Sequence, residues 1–89
     1  MALEDDALVV DGVRVRLTQA ELRLLGCLVH HRDRVVSRDE LTRSLWGVTD
    51  HDRGRAIDTH MKRLRGKLAR VPTVAIATVR MRGFKLVVG

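Results

Sequence analysis

Four positions in the second half of this 89-residue chain place hydrogen-bond donors at helical spacing. Arg55, Thr59, Lys62 and Arg63 recur at steps of three and four and so lie on neighbouring rows of one helix surface. An arginine fork engages two acceptors at once, a lysine ammonium is a point charge for a phosphate, and a threonine hydroxyl both donates and accepts. A second basic pair, Arg80 and Arg82, brackets Met81 just ahead of Gly83. On a helix the first set suits the major groove of a duplex, where guanine presents two acceptors to one arginine. At a hairpin tip the second set suits the concentrated negative potential of a minor groove. An exposed basic helix face is equally what an acidic protein partner grips, and residue types alone leave both readings open.

Other chemistries find less support. His30, His31, His51 and His60, with Cys27, are the soft ligands available. Apart from the adjacent His30 and His31, no pair has a recognised ligand spacing on one helical face, so no metal is expected. The chain has no Ser, His and Asp set, no paired acidic motif and no Gly-rich phosphate loop, so neither an enzyme nor a cofactor is expected. Cys27 is the single cysteine, which excludes an internal disulfide, and among Leu24, Leu25, Leu28 and Val29 it reads as a small buried hydrophobe. Trp46 and Phe84 are the only aromatic rings besides the histidines, too few for the stacking platform that single-stranded RNA recognition prefers.

Charge sharpens the first reading. The chain carries 17 Lys and Arg against 11 Asp and Glu, a net charge of +6 with a pI near 11.0. Residues 1–52 hold seven basic and ten acidic side chains, net −3, whereas residues 53–89 hold ten basic and one acidic, net +9. A polyanionic partner for the second half follows. A length of 89 residues and 45% hydrophobic content fit one small domain over 1–89. No apolar run approaches the roughly 20 residues of a membrane span, and Glu4, Asp5 and Asp6 are unlike a signal-peptide start, so a cytoplasmic location is expected.

The elements that must position these groups can be read in order. Two β-branched runs flank Asp11-Gly12, the two-residue signal of a tight hairpin, and the second alternates Val13, Val15 and Leu17 with Arg14 and Arg16. Thr18-Gln19-Ala20-Glu21 has the form of a capping box, opening a helix with Leu22, Leu25 and Leu28 or Val29 at helical spacing to about His31. Ser37-Arg38-Asp39-Glu40 repeats the pattern and starts a short helix with Leu41 and Leu45 on one side, closed by Trp46-Gly47. Val48 to Gly54 reads as an exposed loop. A third helix over about 55–70 follows from Ile57, Met61, Leu64 and Leu68 at i, i+4, i+7, i+11, with Pro72 beyond its end. Val74–Val79 and Phe84–Val88 read as a terminal hairpin with arginines at its tip. The fold class is therefore α+β, a winged helix-turn-helix with antiparallel strands first, three helices and a C-terminal hairpin wing.

The motifs Leu17-Thr18-Gln19-Ala20-Glu21-Leu22, Arg34-Val35-Val36-Ser37-Arg38-Asp39-Glu40-Leu41, Leu45-Trp46-Gly47, Ile57-Asp58-Thr59-His60-Met61-Lys62-Arg63-Leu64 and Thr78-Val79-Arg80 with Gly83-Phe84, in this order, cover almost the whole chain. Together they resemble the OmpR/PhoB-type DNA-binding domain of bacterial response regulators. The resemblance implies a four-stranded N-terminal sheet, with strands around Met1 to Leu8 beyond those read above. It also implies base reading by Thr59 and Arg63 in the major groove and by Arg80 in the minor groove. Positions at or near phosphates are then Trp46, Arg55, Lys62, Arg65, Thr78 and Phe84, with Lys67 and Arg82 added from the basic face and wing. Trp46 is first of all expected to be a core residue whose indole N–H reaches out. The resemblance further implies promoter direct repeats as the DNA partner, a chain that is monomeric alone and tandem on DNA, and contact with RNA polymerase through residues 47–54. In two respects the wing departs from the family's Arg-Gly-x-Gly-Tyr: Met81 replaces a glycine, which disfavours a positive φ, and Phe84 lacks the tyrosine hydroxyl. The family's receiver domain is not in this sequence.

Overall fold

The computed structural model describes residues 2–88. Strands β1 (Ala2–Leu3), β2 (Ala7–Val10) and β3 (Val13–Arg16) form an antiparallel sheet in the order β1-β2-β3. Asp11 and Gly12 take φ of 49° and 79° between Val10 and Val13, the paired left-handed residues of the two-residue turn expected at Asp-Gly. The strand expected before β2 is present as β1; a fourth is not found among the described residues. The stretch ahead of β2 holds only the two residues of β1 and a turn closed by the Glu4 N–H donating to the Ala7 carbonyl. Met1 lies outside the described residues.

Three helices follow: α1 (Gln19–His30), α2 (Arg38–Trp46) and α3 (His51–Leu68). The capping box at α1 is complete, with the Thr18 hydroxyl accepting from the Glu21 N–H at 3.2 Å and the Glu21 carboxylate accepting from the Thr18 N–H at 2.8 Å. At α2 only half of the expected box forms. Ser37 Oγ accepts from the Glu40 N–H, but the Glu40 carboxylate turns to the Arg34 guanidinium at 3.0 Å, a charged donor stronger than a backbone amide. The buried stripe of α1 is Glu21, Leu24, Leu25 and Leu28, so Leu22 and Val29 sit at its edges and not at its centre.

The third helix begins four residues earlier than expected. Asp50 caps it by accepting from the Arg53 N–H at 2.8 Å, so residues 51–54 form its first turn and the loop shrinks to Gly47–Asp50. It ends at Leu68, ahead of Pro72. Ile57, Met61, Leu64 and Leu68 are all buried, as their spacing requires.

Strands β4 (Val74–Val79) and β5 (Gly83–Val88) pair antiparallel around the tip Arg80–Arg82. This hairpin is joined to the segment ahead of α2 by two backbone hydrogen bonds, Val36 N–H to the Phe84 carbonyl at 2.7 Å and Phe84 N–H to the Val36 carbonyl at 2.9 Å. Gly83 makes the approach possible: a Cβ there would sit 2.1 Å from the Val36 oxygen, and its φ of +142° is one that side-chain-bearing residues avoid. One hydrophobic cluster runs from Leu8 and Val15 through the helices to Phe84 and Leu86. No helix among the described residues is long and apolar enough to cross a membrane.

Candidate nucleic-acid interface

At about 100° per residue, burying Ile57, Met61, Leu64 and Leu68 turns Arg55, Thr59, Lys62, Arg63 and Gly66 to the opposite side of α3, and all five are exposed. The ion pairs and side-chain hydrogen bonds among the described residues leave Arg55, Lys62 and Arg63 unengaged, so their donors are available to an incoming ligand. Asp58, the one acidic residue after Asp52, is neutralised at the edge of this face. Arg38 from the start of α2 holds its Oδ1 at 2.9 and 3.0 Å. That pair ties α2 to α3 and removes a carboxylate that would repel phosphate.

The flanks of α3 do different work. Arg65 reaches across to the hairpin, donating through Nε to the Ile76 carbonyl at 3.0 Å and through Nη2 to the Thr78 hydroxyl. Its guanidinium carbon also lies 5.5 Å from the centre of the Phe84 ring, with that of Arg38 5.3 Å from the same centre. On the other flank Lys67 donates to the buried Glu21 carboxylate at 2.5 Å. Burial pushes the Glu21 pKa up, but the Lys67 ammonium and the Thr18 amide and hydroxyl outweigh it and leave the group below its ordinary value. At α2, the Arg34 guanidinium likewise holds Glu40 low.

The wing brings Arg80 and Arg82 to its tip, both exposed and with no side-chain hydrogen bond or ion pair among the described residues. Trp46 is 37% exposed and faces His60 at 6.0 Å between ring centres. It is thus a surface residue and not the core residue expected, because α2 buries Leu41 and Thr42 and places Trp46 one step past the half-buried Leu45. Cys27 is half-buried, its thiol pushed up by burial, in an open groove between α1 and α2 lined also by His30, His31, Arg34 and Glu40.

Residues 12–86 match the family model described as transcriptional regulatory protein, C terminal. The chain belongs to the OmpR/PhoB-type family of response-regulator effector domains. The transcriptional regulatory protein ResD of Bacillus subtilis is 37% identical over the whole of this chain, which spans 39% of that relative. The chain therefore covers less than half the length of the curated relatives it matches. Among solved structures, the C-terminal domain of the nisin resistance regulator NsrR superposes with a TM-score of 0.81 at 29% identity, covering 97% of this chain and 88% of that one. The Klebsiella pneumoniae RstA DNA-binding domain, solved in complex with the RstA box, gives 0.73 at 35% identity over 85% of this chain and 77% of its own.

Within this OmpR/PhoB-type frame, two of the positions expected near phosphates are engaged inside the fold. Phe84 is 2% exposed, and both its backbone polar groups bond to Val36. Lys67 lies on the α1 flank of α3, outside the outward face, and is committed to Glu21. Arg65 and Thr78 are brought together as a brace between α3 and β4, which orients the wing. Thr59, Arg63, Arg55 and Lys62 form one surface, and Arg80 with Arg82 a second; Trp46, on α2, lies against His60 of α3. Sequence reasoning missed the Arg38–Asp58 pair, although a lone acid in a stretch of net +9 is itself the signal for a fixed cationic neighbour.

Proposed function

We propose that this chain binds duplex DNA in a sequence-specific manner and thereby regulates transcription, acting over residues 1–89 as one winged-helix unit. The observation that carries the reading is the outward face of α3, where Arg55, Lys62 and Arg63 are exposed and unengaged while Asp58 and Arg65, on the flanks toward α2 and the hairpin, are paired. Support comes from the family match and from the RstA domain, whose structure contains its DNA box. Arg63 and Thr59 read base edges in the major groove, Arg80 enters the minor groove, and Arg55, Lys62 and Arg82 hold phosphates, with the Trp46 indole N–H alongside. Arg65 and Thr78 act one step removed by holding the wing against α3.

Two finer assignments belong with this reading. The exposed stretch 47–54, with Val48 52% exposed, is the surface offered to RNA polymerase. On promoter direct repeats two copies lie in tandem.

Affinity measured across salt concentrations tests the proposal. Three to five phosphate contacts give a log–log slope of about −3 to −5, and Lys62→Ala reduces its magnitude by about 1 while weakening all duplexes alike. A slope near zero, or a Lys62→Ala variant indistinguishable from the parent, would remove the phosphate assignment. Tight salt-sensitive capture of an acidic protein with no duplex binding would instead identify an interaction module.

A further inference from the structure

The wing tip contains a residue that neither fold nor charge accounts for. The Arg82 N–H donates to the Val79 carbonyl at 3.0 Å, closing a reverse turn in which Met81 occupies the third position with φ of +66°. A turn of this shape asks for glycine there, because a Cβ in the left-handed region meets the neighbouring carbonyl. The methionine is held in that conformation by the pairing of Val79 with Gly83 and by the immovable approach of Gly83 to Val36. Its side chain is 92% exposed, far more than any other large apolar side chain among the described residues, and so it adds nothing to the core. Local backbone strain combined with an unburied apolar side chain is a combination that folding alone does not favour, and such outliers concentrate where a ligand is gripped.

Its neighbours indicate the ligand. Arg80 and Arg82 flank it at the tip of a hairpin, and the potential they create draws that tip toward the phosphate-lined minor groove. An unbranched, polarisable thioether chain between cations is suited to lie along apolar sugar faces and to slide between stacked base pairs, as Met does among other minor-groove wedges. We propose that Met81 is an apolar wedge of the wing, which opens one base step in the minor groove and so selects a deformable pyrimidine–purine step without reading any base edge. The proposal rests on the DNA-binding reading above and extends it to a specificity determinant outside the hydrogen-bonding residues.

Met81→Asn tests it, since asparagine tolerates the left-handed conformation but has no apolar chain, and Met81→Leu restores the apolar chain. Duplexes carrying the preferred site, with the steps beneath the wing set in turn to TA, CA, AA or GC and with 2-aminopurine at the varied step, are titrated with each protein. The wild-type chain and Met81→Leu should prefer TA or CA over AA by about five-fold or more and brighten the probe on binding, whereas Met81→Asn should bind all steps within about two-fold and leave the probe quenched. Melting curves should show Met81→Asn folded and at least as stable as the parent. A folded Met81→Asn protein with the parent's step preference and probe signal would overturn the wedge while leaving the DNA reading intact. A wild-type chain with no sequence preference anywhere would overturn both.

Discussion

Glu21 is a buried carboxylate whose partners, the Lys67 ammonium and the Thr18 amide and hydroxyl, hold its pKa below the ordinary value against the effect of burial. Such a group binds fewer protons in the folded chain than in the unfolded one, so its contribution is complete above the usual carboxylate range and disappears as pH falls through the folded value. Melting temperature should therefore drop in the parent as pH falls through and below the usual carboxylate range. Glu21→Gln should lower stability at neutral pH by about 1–3 kcal/mol and flatten that acid limb. An unchanged acid limb in Glu21→Gln would show that other carboxylates carry it. The same pair marks where residue type stops being a guide. The exposure of Arg55, Lys62, Arg63, Arg80 and Arg82 was readable because each stands on a row or tip that the apolar spacing leaves outward. The partners of Lys67 and Phe84 were not, because they are distant in sequence: Lys67 meets Glu21 across 46 positions, and Phe84 pairs with Val36.

At the scale of elements, capping chemistry and periodicity define the order and type of every helix, and the errors fall at boundaries. Helix α3 starts at His51 because Asp50 is an N-cap, a signal present in the sequence but masked by the turn-like Asp50, Asp52 and Gly54 around it. The wing's attachment was invisible, since it depends on a backbone-to-backbone approach with no side-chain signature beyond a glycine. Gly83 is where that attachment is most exposed to test. Gly83→Ala forces a methyl onto the Val36 carbonyl and a disfavoured φ together, so a loss of more than about 2 kcal/mol in denaturant unfolding is expected. DNA affinity should fall further than stability alone dictates, because the wing loses its anchor to the segment that starts α2. A variant as stable as the parent would mean the hairpin detaches without consequence.

For the whole molecule, charge segregation sets the behaviour. Residues 1–52 are net −3 and the remainder net +9, so the basic part of the chain is the part drawn to phosphate. In the absence of DNA, sedimentation should show a monomer; a stable dimer without DNA would contradict the tandem arrangement. The composition made this asymmetry plain from the start, whereas the separation of α3 into a free outward face and two engaged flanks required the fold. The role of that free face is tested by selection of bound sequences from a random duplex library with the parent and with Arg63→Ala. The parent should recover a directly repeated motif, and Arg63→Ala should relax one position of each repeat with a penalty of about 1–3 kcal/mol. Recovery of an unchanged motif by Arg63→Ala, or no motif from the parent, would contradict the assignment of α3 as the reading helix.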